Sequence, residues 1–243
     1  MLSPSDPTLF QVIIGSLIMV LGSLLQASVG FGIALFVVPM LILLNPAFIP
    51  GPMLFASLFL AAIMAFRGWQ AIDRMKLNYA LGGLLLGTVV AALGLTILAA
   101  DKLPKVFGVI ILMAVVISVS GIHIPLTRSN LVSAGAVSGV MGTIAGIHGP
   151  PIALLFQRQA GRTVRGTLAV FFVIGYSIAL AALFLVGRFG EREIKLGLAL
   201  APGVIAGYLI ARFTTKLLDK GHWLRIAILS VATLSAIALL FRN

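Results

Sequence analysis

Between Val140 and Arg165 the chain reads VMGTIAGIHGPPIALLFQRQAGRTVR, and this stretch limits the available folds more than any other. An apolar run breaks midway at Gly146-Ile147-His148-Gly149-Pro150-Pro151, resumes for a few apolar residues and ends in Arg158, Arg162 and Arg165. Two prolines and two glycines inside a hydrophobic segment remove backbone hydrogen bonds, and lipid offers no replacement. Such a break is tolerated only where it is buried in protein or lines a wet cavity, so it marks a candidate site.

The environment of that break follows from composition. Hydrophobic residues make up 60% of the chain and charged residues 9%, with a mean hydropathy of +1.18. A soluble domain carries about 25% charged residues. This chain cannot cover itself with a water-facing surface and reads as an all-α, polytopic integral membrane protein. Long apolar runs without ten-residue alternation point to helices rather than a barrel. The net charge of +11 lies mostly at the ends of apolar runs, where Lys and Arg anchor to headgroups; no nucleic-acid partner is implied. Trp69, Tyr79 and Trp223 suit an aromatic belt. The chain has no cysteine, hence no thiolate metal site and no cysteine nucleophile. Its opening residues lack the basic region of a signal peptide and read as a polar lead into a first span.

Eight apolar stretches are expected, roughly 9–44, 51–66, 77–100, 104–122, 131–157, 166–187, 194–215 and 223–241. The first is too long for one crossing and is interrupted at Gly30-Phe31-Gly32. An internal duplication is expected as well: Ile33-Ala34-Leu35 recurs as Ile152-Ala153-Leu154, Lys76-Leu77 as Lys195-Leu196, and Asp101-Lys102 as Asp219-Lys220, at nearly constant offset. Two homologous halves, 1–122 and 123–243, would then form one transmembrane domain with the two breaks at matching positions. Paired breaks of this kind point to a transporter's binding site. If every stretch crosses, four segments per half give parallel halves; if each broken stretch is instead a hairpin returning to its own side, the halves are inverted. Arg67, Arg74, Lys76, Arg158, Arg162, Arg165, Arg212, Lys216 and Lys220 then gather on one face, which the positive-inside rule makes cytoplasmic.

The chemistry near the breaks suits an anion. All six acidic residues sit at segment ends or in loops, which argues against a metal site, a buried carboxylate relay and a metal-dependent enzyme. No cofactor and no catalytic residue is expected. Ser138 and His148 lie on one broken segment and make a poor protease dyad. The candidate substrate-binding residues are Gln26, Ser28, Gly30 and Gly32 at the first break, and Thr143, Gly146, His148, Gly149, Pro150 and Pro151 at the second. Arg162 and Arg165 would lie at the cytoplasmic mouth. Hydroxyl, amide, imidazole and backbone N–H groups together replace the hydration shell of a small oxyanion. The unpaired amides and positive dipole end of a broken helix would add to them. Such a site would bind an anion more tightly with His148 protonated.

With both motifs in view, the chain resembles the TauE/SafE family of sulfite and organosulfonate exporters. The resemblance rests on Gly30-Phe31-Gly32-Ile33-Ala34-Leu35 running to Pro39, and on Gly146-Ile147-His148-Gly149-Pro150-Pro151 followed by Arg162 and Arg165. The first motif has fewer glycines than many members, and His148 stands where a small or hydroxylic residue is common. The resemblance implies a multi-pass permease of the bacterial inner membrane that exports sulfite, sulfoacetate or a related anion. Alternating access, one half rocking against the other, is the mechanism expected. The alternatives are a passive anion channel or a carrier of another small organic anion. A homodimer and coupling to protons or sodium are left open.

Overall fold

The computed structural model describes residues 6–29, 33–99, 102–122, 124–156, 161–218 and 222–241. Ten α-helices account for most of them: α1 (Leu9–Val29), α2 (Ile33–Leu44), α3 (Gly51–Gly68), α4 (Arg74–Ile97), α5 (Leu103–Val119), α6 (Arg128–Ala145), α7 (Gly149–Phe156), α8 (Gly161–Leu185), α9 (Glu191–Leu218) and α10 (His222–Leu240). The eight expected stretches are all helical, and the two interrupted ones each give a pair, α1–α2 and α6–α7. Helices α1, α3, α4, α8 and α9 are long and apolar enough to cross a membrane, whereas α2, α5 and α10 are apolar but shorter. Leu9, Phe10, Phe66, Leu93, Ile97, Leu185 and Phe213 are exposed on the outside, as lipid-facing residues must be.

Contacts at the helix ends fix which way each helix runs. At one face Asp6 pairs with Arg192 at 2.6 Å, Arg188 donates to the carbonyls of Leu95 and Leu98, and Gly51 packs on Phe189 and Glu193. At the other face Arg67 donates to the Tyr208 hydroxyl at 2.8 Å, the Asp73 amide donates to Thr167, and Gly68 abuts Gly166. Gln11, near the start of α1, donates to the carbonyl of Leu44 at the end of α2 and accepts from Asn45. The first interrupted stretch therefore leaves the Asp6 face and returns to it. Helix α6 starts at the opposite face, where Arg128 lies over the ring of Tyr79, and α8 starts there too. The second interrupted stretch thus leaves and returns to the Arg67 face, and the two are inserted from opposite sides.

Two parallel crossings hold the long helices together. Gly83 and Gly87 on α4 face Gly135 and Gly139 on α6, with four-residue spacing on both. A methyl group at any of these positions would strike backbone of the partner helix: Val132 and Ala136, or Ala80 and Leu84. Gly203 and Gly207 on α9 seat against the backbone of Ser16 and Val20 on α1 in the same way, and the Ser16 hydroxyl donates to the Ala199 carbonyl. Without a hydrophobic driving force between helices in lipid, such close backbone approach supplies the dispersion contact that holds them. Helices α3 and α8 pack between these pairs.

The remaining helices form a second group. Helix α10 packs on α5, where Gly108 meets Ala236 and Leu240, and on α2; α5 packs on α7. This group meets the long helices chiefly where α1 turns into α2 and α6 into α7.

Candidate functional site

The second break is narrower than its sequence suggests. Gly146 adopts the left-handed conformation (φ 79°), which a residue with a side chain rarely takes, and its N–H closes α6 on the Gly142 carbonyl at 2.8 Å. Only Gly146, Ile147 and His148 separate the two helices. Gly149, Pro150 and Pro151, read from sequence as part of the interruption, form the first turn of α7. Proline is accommodated there because the first amides of a helix have no intrahelical partner in any case. Pro150 and Pro151 carry no N–H, so the free amides of the α7 start are those of its other residues.

His148 is 1% exposed, and neither ring nitrogen has a hydrogen-bond partner among the described residues. The carbonyl of Gly146 lies near the ring without hydrogen-bond geometry. One side of the imidazole rests on Gly142, so closely that any side chain at Gly142 would overlap it. A methyl group on Gly175 of α8 would lie 3.3 Å from Cδ2. Tyr176, next along α8, meets the imidazole edge-on with ring centroids 5.1 Å apart and stacks on Phe172 at 5.7 Å.

Tyr176 also ties this break to the first. The Gln26 side chain, on the last turns of α1, reaches the Tyr176 hydroxyl, while its Oε1 finds no partner among the described residues. Gln26 is as deeply buried as His148, and Tyr176 is 2% exposed. The three side chains come from α1, α8 and the α6–α7 junction, and they form one polar seam in the interior. Thr143, one turn before Gly146, donates to the Thr88 hydroxyl of α4 at 3.2 Å. That bond joins two helices at the edge of the seam. Ser23, Ser57 and Ser138 add further buried hydroxyls without partners among the described residues.

An unsatisfied buried polar group costs about 1–3 kcal/mol. Native structures carry few of them, and each calls for a reason. Here Gln26 and His148, each with unsatisfied atoms, both adjoin Tyr176 near the α6–α7 junction, which is where a polar ligand would satisfy them.

Of the other residues singled out from sequence, Gly149, Pro150 and Pro151 are buried beside His148. Gly30 and Gly32 lie outside the described residues, as do Gln157 and Arg158; the side chains of Ser28 and Arg162 do too, although both residues belong to helices. Arg165 is exposed near the start of α8, at the Arg67 face and away from the seam. Tyr176 was not anticipated. In Ala169-Val170-Phe171-Phe172-Val173-Ile174-Gly175-Tyr176 it reads as one more aromatic in an apolar span, and only its burial and neighbours set it apart.

No curated protein and no solved structure matches the chain. The family model described as "Sulfite exporter TauE/SafE" matches residues 15–239. That range includes all of α2 to α9, most of α1 and α10, and the seam residues Gln26, His148 and Tyr176. The chain therefore belongs to the TauE/SafE sulfite exporter family and is a multi-pass membrane transporter of sulfite and related anions, not an enzyme.

Proposed function

We propose that this chain exports sulfite, sulfoacetate or a related sulfur oxyanion by alternating access, binding it in the seam of Gln26, Tyr176 and His148. The observation that carries this reading is that two buried side chains with unpartnered polar atoms, Gln26 and His148 of two oppositely inserted hairpins, meet one buried tyrosine. Ser28, Gly30, Gly32, Thr143, Gly146, Gly149, Pro150 and Pro151 would complete the walls, with Arg162 and Arg165 attracting anions at the mouth. Sealing of Gln26 and His148 from both faces favours a carrier over a passive channel.

The packing favours a particular moving unit. The glycine-seated crossings tie α1 to α9 and α4 to α6, each joining the first half of the chain to the second. Rocking one half against the other would tear both crossings. Helices α2, α5, α7 and α10 have no such tie, so that group moves against the long helices while the two breaks act as hinges. The halves 1–122 and 123–243 are equivalent in this reading, which the matching crossings of α1 with α9 and α6 with α4 support.

Arg67, Arg74, Lys76, Arg128 and Arg212 belong to the same face as the start of α8, which makes that face cytoplasmic in a bacterial inner membrane. Proteoliposomes loaded with sulfite, sulfate, sulfoacetate or a carboxylate control test the reading, with and without pH and sodium gradients. Saturable sulfite counterflow is expected, and its loss in His148→Leu; equal flux of the carboxylate control would refute it. The gradients decide between proton and sodium coupling, and the mass of the detergent-solubilised particle decides whether the unit is a homodimer.

A further inference from the structure

The charge inventory of the seam says more about its ligand than the family does. No Asp, Glu, Lys or Arg is buried among the described residues; the buried polar set is Ser23, Gln26, Asn45, Ser57, Thr88, Ser138, Thr143, His148, Thr167 and Ser235. Around His148 the groups presented are Gly142 from α6, Gly175, Tyr176 and Phe172 from α8, and Gln26 from α1 beyond Tyr176; Leu84 of α4 lies against Gly175. Tyr176 and His148 are the only titratable side chains among them. Among the described residues the seam therefore offers neutral donors and at most one positive charge, on His148.

We infer that the seam accepts oxyanions carrying a single negative charge, hydrogensulfite and simple sulfonates, and excludes dianions such as sulfate and the sulfite dianion, which narrows the substrates proposed above by removing sulfoacetate. This rests on the proposed location of the binding site. The self-energy of transferring an ion out of water grows as the square of its charge, so a dianion is penalised about fourfold more than a monoanion of the same size. Neutral hydrogen-bond donors and one imidazolium can compensate a single charge, but they leave a second one unpaired in a low-dielectric interior.

Sulfite makes this testable, because it passes from hydrogensulfite to the dianion near neutral pH, whereas methanesulfonate stays a monoanion and sulfate a dianion throughout. The full chain is reconstituted in proteoliposomes with equal pH inside and out, and the pH is raised from mildly acidic to mildly alkaline. Labelled sulfite, sulfate and methanesulfonate are followed below saturation, methanesulfonate as flux or as competition against sulfite. The ratio of sulfite to methanesulfonate flux should fall by up to ~tenfold per pH unit on the alkaline side, following the hydrogensulfite fraction, and sulfate is not carried. Comparable sulfate flux, or a ratio that holds level as pH rises, overturns the inference while leaving transport itself intact. A fully parallel decline of the two anions is such a level ratio, since only a group of the protein would then be titrating. Absence of protein-dependent flux for all three anions would instead bring down the transport reading beneath it. Tyr176→Phe gives a second check: it should weaken sulfite and methanesulfonate alike without moving the sulfite pH profile, and a changed profile would contradict the charge argument.

Discussion

The crossing of α4 on α6 and the seam around Tyr176 are neighbours built from similar material, yet they solve opposite problems. In the crossing, Gly83, Gly87, Gly135 and Gly139 remove side chains so that backbone meets backbone and no room is left. In the seam, Gly142 and Gly175 remove side chains so that an imidazole can lie flat between two helices, and its nitrogens are left without partners. One region is closed by backbone packed on backbone. The other is buried but incomplete in its hydrogen bonding. The difference teaches that glycine in a lipid-embedded bundle serves both cohesion between backbones and the seating of a polar side chain.

The largest way to break this comparison is to fill the closed region. Gly87→Leu places a side chain where the Ala136 carbonyl already sits. Overpacking costs roughly 1–3 kcal/mol and more where backbone must move, so the yield of monodisperse protein in detergent should collapse. Filling the incomplete region should do the reverse. His148→Leu removes two unsatisfied nitrogens, so the thermal midpoint should hold or rise. Flux should nevertheless drop roughly 10–100-fold, the equivalent of about 1.5–3 kcal/mol for a hydrogen bond to a charged ligand. A His148→Leu variant that unfolds would erase the distinction between the regions.

Tyr176→Phe is milder. It keeps the stack on Phe172 and the contact with the imidazole and removes only the hydroxyl that Gln26 reaches. Apparent sulfite affinity should fall about threefold to thirtyfold with stability nearly unchanged, as expected for one hydrogen-bond donor.

Much of the fold was legible in the chain itself. Length and hydropathy suffice for the helical stretches, because lipid forces every backbone group into a helix, and His148 and Gln26 stand out as polar side chains in apolar runs. The function of Pro150 and Pro151 was not legible. Proline in an apolar run signals a break, but whether it lies in the gap or opens the next helix depends on where Gly146 turns the chain. Tyr176 was hidden by its phenylalanine neighbours. The partner of the Gly83–Gly87 pair was hidden too, since small-residue spacing identifies a face and not what it faces.

The helix ends at the two surfaces should respond least, which sharpens the contrast with the interior. Asp73 caps α4 by accepting from the Lys76 amide and pairs with the Lys76 ammonium at 2.7 Å. The hydrogen bond from the Lys76 side chain, opposed by partial burial and aided by the backbone amides, holds its carboxyl below the ordinary value of 3.8. A depressed folded value means that the contribution is complete above 3.8 and is lost as pH falls through the lower folded value. The stability gap between wild type and Asp73→Asn, less than about 1 kcal/mol at neutral pH, should therefore close in strong acid. Arg192→Gln, which removes the exposed pair with Asp6, should shift the thermal midpoint by even less.

The most direct measurement is equilibrium binding of labelled sulfite to purified protein, wild type beside a Gln26→Leu/His148→Leu double variant. Saturable binding in the wild type and none in the double variant, with the thermal midpoint of the variant not lowered, is the result expected of an anion held by the seam. Equal binding by the two proteins would contradict it and place the anion elsewhere in the molecule.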